Sequence, residues 1–353
     1  MLTHIAERGV AYVFHRGQKE RECRNLYIAD VYHDELANLH TYPGFVYMMK
    51  NYRKSLSPWS QLGLFLLMLG GAVLVAGVLS LLILTSKGID TSHGDLDLTD
   101  PKVTASLLKL LQALSTVVIF ALPAILYARL TFREQTFHSL GFRRVRTSLW
   151  FLLAVAALLF SFPMEGWLGQ VNRGFHLPPS LIKMEESADK QLNLFLRVDS
   201  PLTVYVNLLV MALLPAICEE MCFRGALQRI LINLTRSPWG GIVLTGLIFS
   251  AIHLQFLGFL PRAFLGMILG AIYWYSGSLW VSILAHFFYN GIQVIAISFY
   301  PKMIHEDPSV PVYLALISLV IVVGLLVLMR RMSETTYARV YEPESKEYDG
   351  FPS

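Results

Sequence analysis

Charged residues are scarce in this sequence: Lys, Arg, Asp and Glu make up 15% of its 353 residues, against roughly a quarter in an ordinary soluble domain. With 54% hydrophobic residues and a mean hydropathy of +0.51, that scarcity excludes a soluble globular protein. Cysteine is scarce too. Three residues, Cys23, Cys218 and Cys222, cannot make a disulfide framework, and nothing points to an oxidised, secreted chain. The net charge of +4 carries no signal for a nucleic-acid partner, and none is expected. A signal peptide is also missing, because the first 60 residues are mixed and polar where a short apolar core would have to stand. The first apolar span is therefore expected to be retained. There is no internal repeat and no low-complexity segment.

What the sequence does have is long apolar runs. Reading for stretches of about 20 residues places spans near 61–86, 107–128, 148–168, 202–223, 239–257, 262–276, 279–299 and 310–329. The fold class predicted is all-α, a polytopic transmembrane bundle of about eight spans. The sixth is short and contains Gly266 and Gly270, a pair spaced for close helix packing. Placing both termini in the cytoplasm puts 20 of the 29 Lys and Arg residues inside, and the 87–102 connection is acidic, with Asp90, Asp95, Asp97 and Asp100. The organisation expected is a cytoplasmic N-terminal segment (1–60), a membrane-embedded domain (61–330) and a cytoplasmic tail (331–353), in the cell (inner) membrane. The long connection at 169–201 spaces Leu181, Met184, Ala188, Leu192 and Phe195 by three or four residues among charges. That spacing predicts an amphipathic helix lying on the membrane or capping the bundle.

The chemistry lies in polar residues that a bilayer should exclude, since an ionisable group at the centre of a span costs at least about 2.5 kcal/mol. Only two of the ten histidines, His253 and His286, fall inside expected spans. Glu219 and Glu220 close the fourth span, and Asn290 stands one helical turn after His286. At 1.5 Å of rise per residue, Glu219, His253, His286 and Asn290 sit roughly 15, 22, 12 and 18 Å above the cytoplasmic surface. These depths allow one shared cavity. Glu220 and Arg224, at i and i+4, are spaced for a carboxylate–guanidinium pair, while Glu219 points about 100° away and is left for chemistry. Cys218 and Cys222 are read as small apolar fillers, and Glu165, beside Trp167, as an interfacial residue.

Three stretches, Glu219-Glu220-Met-Cys-Phe-Arg224, Phe249-Ser-Ala-Ile-His253 and His286-Phe-Phe-Tyr-Asn290, resemble the ordered EExxxR, FxxxH and HxxxN/D motifs of the CPBP family of CAAX-protease-like and bacteriocin-processing (Abi) membrane proteins. The likeness covers about residues 200–300. It implies an intramembrane endopeptidase acting on a peptide or membrane-protein substrate among membrane lipids. The roles expected are Glu219 as base, His253 as the residue orienting the water, His286 and Asn290 as oxyanion donors, and Glu220 with Arg224 as support. Glu219, His253 and His286 are also candidate zinc ligands, yet the His-Glu-x-x-His of zincins is absent and the metal-free version is favoured. Two further readings stay open: a non-proteolytic immunity or scaffold protein on the same fold, and a transporter. The latter calls for an inverted repeat, which is not found.

Overall fold

The computed structural model describes residues 56–90, 96–132, 136–145, 147–198, 200–300 and 309–337, together with a two-stranded antiparallel ladder of β1 (Ala6–Glu7) and β2 (Val10–Ala11). Residues 1–55 form one unit and residues 56–353 another. The expected 1–60 segment, apart from that ladder and the last residues before the first helix, lies outside the described residues, as does the tail beyond Tyr337.

The second unit is helical. Its elements are α1 (Pro58–Ser86), α2 (Ala105–Phe132), a single turn at Thr136–Ser139, α3 (Leu149–Arg173), α4 (Pro179–Leu196), α5 (Pro201–Thr235), α6 (Pro238–Ile252), α7 (Phe259–Ser276), α8 (Leu279–Phe299) and α9 (Val312–Met332). Starts are written in the sequence. Ser57, Thr104, Ser200 and Ser237 each accept a hydrogen bond from the backbone N–H three residues on, and Pro58, Pro201 and Pro238 open their helices without an N–H to waste.

Six helices among the described residues (α1, α2, α3, α5, α8 and α9) are long and apolar enough to cross a bilayer. Their outward faces carry bare Leu and Val, with Leu67, Leu74 and Val320 exposed at 74, 72 and 71%, as lipid contact requires. The chain is an integral membrane protein. Eight spans were expected, and the difference lies in the fifth and sixth. The fifth, read as 239–257, stops at Ile252, and α6 with its 15 residues is only about 22 Å long. A turn at 253–258 leads straight into α7, which packs back along α6.

Close approach within this hairpin depends on missing side chains. A Cβ on Gly266 would lie 3.0 Å from the Gly246 Cα, and one on Gly246 would lie 2.8 Å from the Met267 side chain. The core has two main clusters. One gathers Ala154, Leu158, Leu269, Ile272, Val281 and Met329 from α3, α7, α8 and α9; the other gathers Phe65, Tyr127, Cys222, Phe223 and Ile230 from α1, α2 and α5. Cys218 and Cys222 are free and buried in the second cluster, as expected of fillers.

Two helices widen into π-helical turns just before a proline: Val117–Ala121 before Pro123, and Leu208–Leu213 before Pro215. Proline cannot donate to the carbonyl four residues back, and the wider turn accommodates the interruption. A third π segment, Met221–Leu227, contains no proline and begins directly after Glu220. The two carboxylates therefore occupy a short α-helical stretch, Leu214–Glu220, between two π segments, a placement typical of functional positions in helices.

Candidate active site

Glu219 and Glu220 leave α5 in different directions, as their 100° separation requires. Glu220 is completely buried, and its Oε1 accepts from Arg224 Nη1 at 2.7 Å and from His286 Nδ1 at 3.0 Å. Glu219 keeps 11% side-chain exposure, and its Oε2 stands 4.0 Å from His286 Nε2, beyond hydrogen-bond reach. His286, projecting from α8, thus lies between the two carboxylates.

Arg224 pairs with Glu220 as the i, i+4 spacing predicted, but not as a two-pronged fork on one carboxylate. The second prong, Nη2, donates to the Gly266 carbonyl of α7 at 3.0 Å. One turn further on, Gln228 Nε2 donates to the Gly270 carbonyl at 3.0 Å. These two rungs tie α5 to α7, and the glycines make them possible: a Cβ on Gly270 would lie 2.7 Å from Gln228 Oε1. The pair predicted for helix packing therefore opens its backbone carbonyls to side chains of α5.

Phe249 of α6 is the hub. The Arg224 guanidinium sits 4.8 Å from its ring centroid, and the ring meets Phe223, His253 and His286 edge-on at 5.0, 5.0 and 6.1 Å. His253 is not inside a span but at the C-terminal cap of α6, and its Nδ1 bonds the Phe249 carbonyl at 2.7 Å. A carbonyl only accepts, so Nδ1 carries the proton and Nε2 offers a lone pair. His253 also interacts electrostatically with His286 and Arg262. Glu220 thus bonds Arg224 and His286 directly, Glu219 stands next to His286, and His253 is joined to them through Phe249. Asn290 follows His286 by one turn, partly buried, with no hydrogen-bond partner among the described residues.

Among the described residues no group of three or more His, Cys, Asp and Glu side chains is placed to hold a metal ion.

Residues 201–292 match the family model described as type II CAAX prenyl endopeptidase Rce1-like. This stretch is Rce1-like. The Rce1-like segment runs from the start of α5 to just past Asn290 and so contains all seven motif residues, in agreement with the CPBP resemblance. The description of that model names an endopeptidase. A relative from Bacillus subtilis (strain 168), the uncharacterized protein YpbD, is 31% identical over 97 residues, which is 26% of this chain and 47% of that protein. The chain thus spans about half the length of the curated relative it matches. No solved structure matches the chain.

Sequence reasoning missed several residues around the Rce1-like segment, most of them outside it. Glu165, expected at the interface, is 6% exposed within α3; it bonds Ser161 Oγ at 2.5 Å and accepts from the Tyr289 hydroxyl of α8. The face of α3 that carries it packs on α8, and burial there is tolerable because both carboxylate oxygens are satisfied. In α4 the expected apolar stripe is interrupted: Met184 is 44% exposed, while Glu185, one residue on, is 8% exposed and accepts from the Leu257 N–H at 3.0 Å. The helix turns this carboxylate inward because a backbone donor in the turn after α6 awaits it. Arg262 bonds Gln255 and interacts electrostatically with Glu185 and Glu219. One acidic residue among several on an amphipathic helix gives no signal for either contact.

Proposed function

We propose that this protein is an intramembrane endopeptidase of the CAAX-protease-like type, hydrolysing a peptide bond at or within the bilayer with a water activated by Glu219. The observation that carries the reading is the unequal treatment of two adjacent carboxylates. Glu220 is sealed and committed to Arg224 and His286; Glu219 retains exposure and has a histidine beside it without being bonded to it. A structural pair would satisfy both.

In this reading the Glu219 carboxylate takes a proton from water while the Nε2 lone pair of His253 accepts the water's other hydrogen and holds it. The hydroxide adds to the carbonyl carbon, and the π pair moves onto oxygen. Asn290 donates to that oxyanion. His286 also donates to it, but with Nδ1–H committed to Glu220 only the doubly protonated ring has a proton on Nε2, and the Glu220 carboxylate faces that charge. As the C–N bond breaks, Glu219 returns its proton to the leaving nitrogen. No metal enters these steps. The substrate class is a peptide or a membrane-protein segment reaching the site from the bilayer.

The test compares small peptides in membranes carrying the wild-type protein with those in membranes carrying Glu219→Gln. The variant keeps size and most hydrogen bonding but loses the base, so cleavage should fall by at least about 10²-fold. Peptide profiles that match when both proteins are present at equal levels refute an endopeptidase and leave the immunity, scaffold or transport readings.

A further inference from the structure

The turn that carries His253 is held from three sides. Its three consecutive residues Gln255, Phe256 and Leu257 are each bound by a different helix. Arg262 of α7 donates to the Gln255 carbonyl at 3.2 Å and to its Oε1 at 2.8 Å. Asn172, in the last turn of α3, donates to the Phe256 carbonyl at 2.7 Å, and its Oδ1 accepts from the Leu260 N–H at 2.7 Å. Glu185 of α4 accepts from the Leu257 N–H at 3.0 Å. Asn172 and Glu185 are 4 and 8% exposed. Between this clamp and His253 lies Leu254, a non-glycine residue in the left-handed region at φ 54°. L-residues hold that conformation at a cost of about 1–2 kcal/mol and adopt it when surroundings impose it.

We infer that Asn172 and Glu185 are positioning residues for His253, and that α4 with the end of α3 belongs to the working site although both lie outside the Rce1-like segment. The physical reason is local. A helix normally carries its own side chains rigidly, but His253 has left α6, and its ring is oriented by the Nδ1 bond to the Phe249 carbonyl and an edge-on contact with the Phe249 ring. The backbone beneath it is a loop, and a loop placed about 1 Å off can cost on the order of 10²-fold in rate. The clamp supplies the rigidity that helix α6 no longer gives. Asn172 uses one end of its amide on this turn and the other on the first turn of α7, the pattern of a group fitted to one backbone conformation rather than a general filler.

This inference rests on the endopeptidase reading, and the experiment separates the two. Wild type, Glu219→Gln, Asn172→Ala, Glu185→Ala and Glu185→Gln are reconstituted as full chains in liposomes. The probe is a quenched-fluorescent peptide ending in a prenylated cysteine and three further residues, together with the same peptide unprenylated. Both alanine variants should lower kcat about tenfold or more with KM within about twofold. Glu185→Gln keeps an acceptor for Leu257 and should recover kcat to within about threefold of wild type. Unchanged kcat in both alanine variants overturns the inference, as does a rise in KM alone. So does a loss of activity that tracks the folded fraction and is not rescued by Gln, since that marks a purely structural role. If Glu219→Gln cleaves as well as wild type, the proposed reaction falls; if it is dead while Asn172→Ala and Glu185→Ala are fully active, only the positioning role falls.

Discussion

Replacing Arg224 by lysine tests the buried network most directly, because the charge is kept and only the geometry changes. The guanidinium bonds Glu220 through Nη1 at 2.7 Å and the Gly266 carbonyl through Nη2 at 3.0 Å, and it lies over the Phe249 ring at 4.8 Å. An ammonium on a shorter stem reaches Glu220 but not the carbonyl on α7 as well. The substitution therefore gives up the hydrogen bond to the Gly266 carbonyl, which keeps its bond within α7, at about 0.5–1.5 kcal/mol. It also gives up a stacked cation–π contact of roughly 0.5–2 kcal/mol. Taken together, a loss of about 1–3.5 kcal/mol is expected. It corresponds to a fall in Tm of roughly 2–14 °C, at about 2–4 °C per kcal/mol. Thermal unfolding of the detergent-purified protein, followed by tryptophan fluorescence, reads it. Arg224→Ala should lose more, about 3–5 kcal/mol, because it leaves Glu220 as a buried charge with only His286 beside it. If Arg224→Lys melts within 2 °C of wild type, the split between Glu220 and Gly266 does not hold the helices together, and the reasoning is wrong.

Gly266→Ala places a methyl 3.0 Å from the Gly246 Cα and 3.2 Å from the Phe249 ring, so it should separate α6 from α7 and destabilise by about 1–3 kcal/mol; an unchanged melting curve would contradict the packing. For the metal-free mechanism, a strong chelator should leave cleavage intact and His286→Ala and Asn290→Ala should lower the rate by similar factors, on the order of 10²-fold; about one tightly bound zinc per chain, lost together with activity, would refute it. Orientation is tested with one added cysteine, at Asp97 or at Glu334, in a background that lacks Cys23 and keeps only the buried Cys218 and Cys222: the two should label from opposite sides of the membrane, and labelling from the same side would reject cytoplasmic placement of both termini. Leu254→Gly removes the φ strain and should leave stability unchanged or raised while lowering kcat, because the turn under His253 gains freedom; a kcat equal to that of wild type would show that the turn needs no fixed conformation.

How much of this protein was legible without its structure follows from the range of the forces involved. Apolar runs declare a membrane protein because a span must satisfy its own backbone, a condition local to each helix and visible in composition. Helix starts were likewise local, written as Ser or Thr caps and first-turn prolines. The Glu220–Arg224 bond was legible for the same reason, since i, i+4 neighbours meet on one helix whatever surrounds them. The rest depended on which helix faces which. No spacing told that Arg224 would send its second prong to the Gly266 carbonyl, that His286 would come between Glu219 and Glu220, or that Phe249 would gather the site around its ring. The apolar run at 239–257 could not reveal that α6 ends at Ile252, because the clamp on the following turn comes from Asn172, Glu185 and Arg262 on three other helices. Glu185 and Glu165 read as surface charge because burial of a carboxylate is decided by the donor that meets it. Those donors, the Leu257 N–H and the Tyr289 hydroxyl, lie 72 and 124 residues away along the chain and arrive only with the tertiary fold.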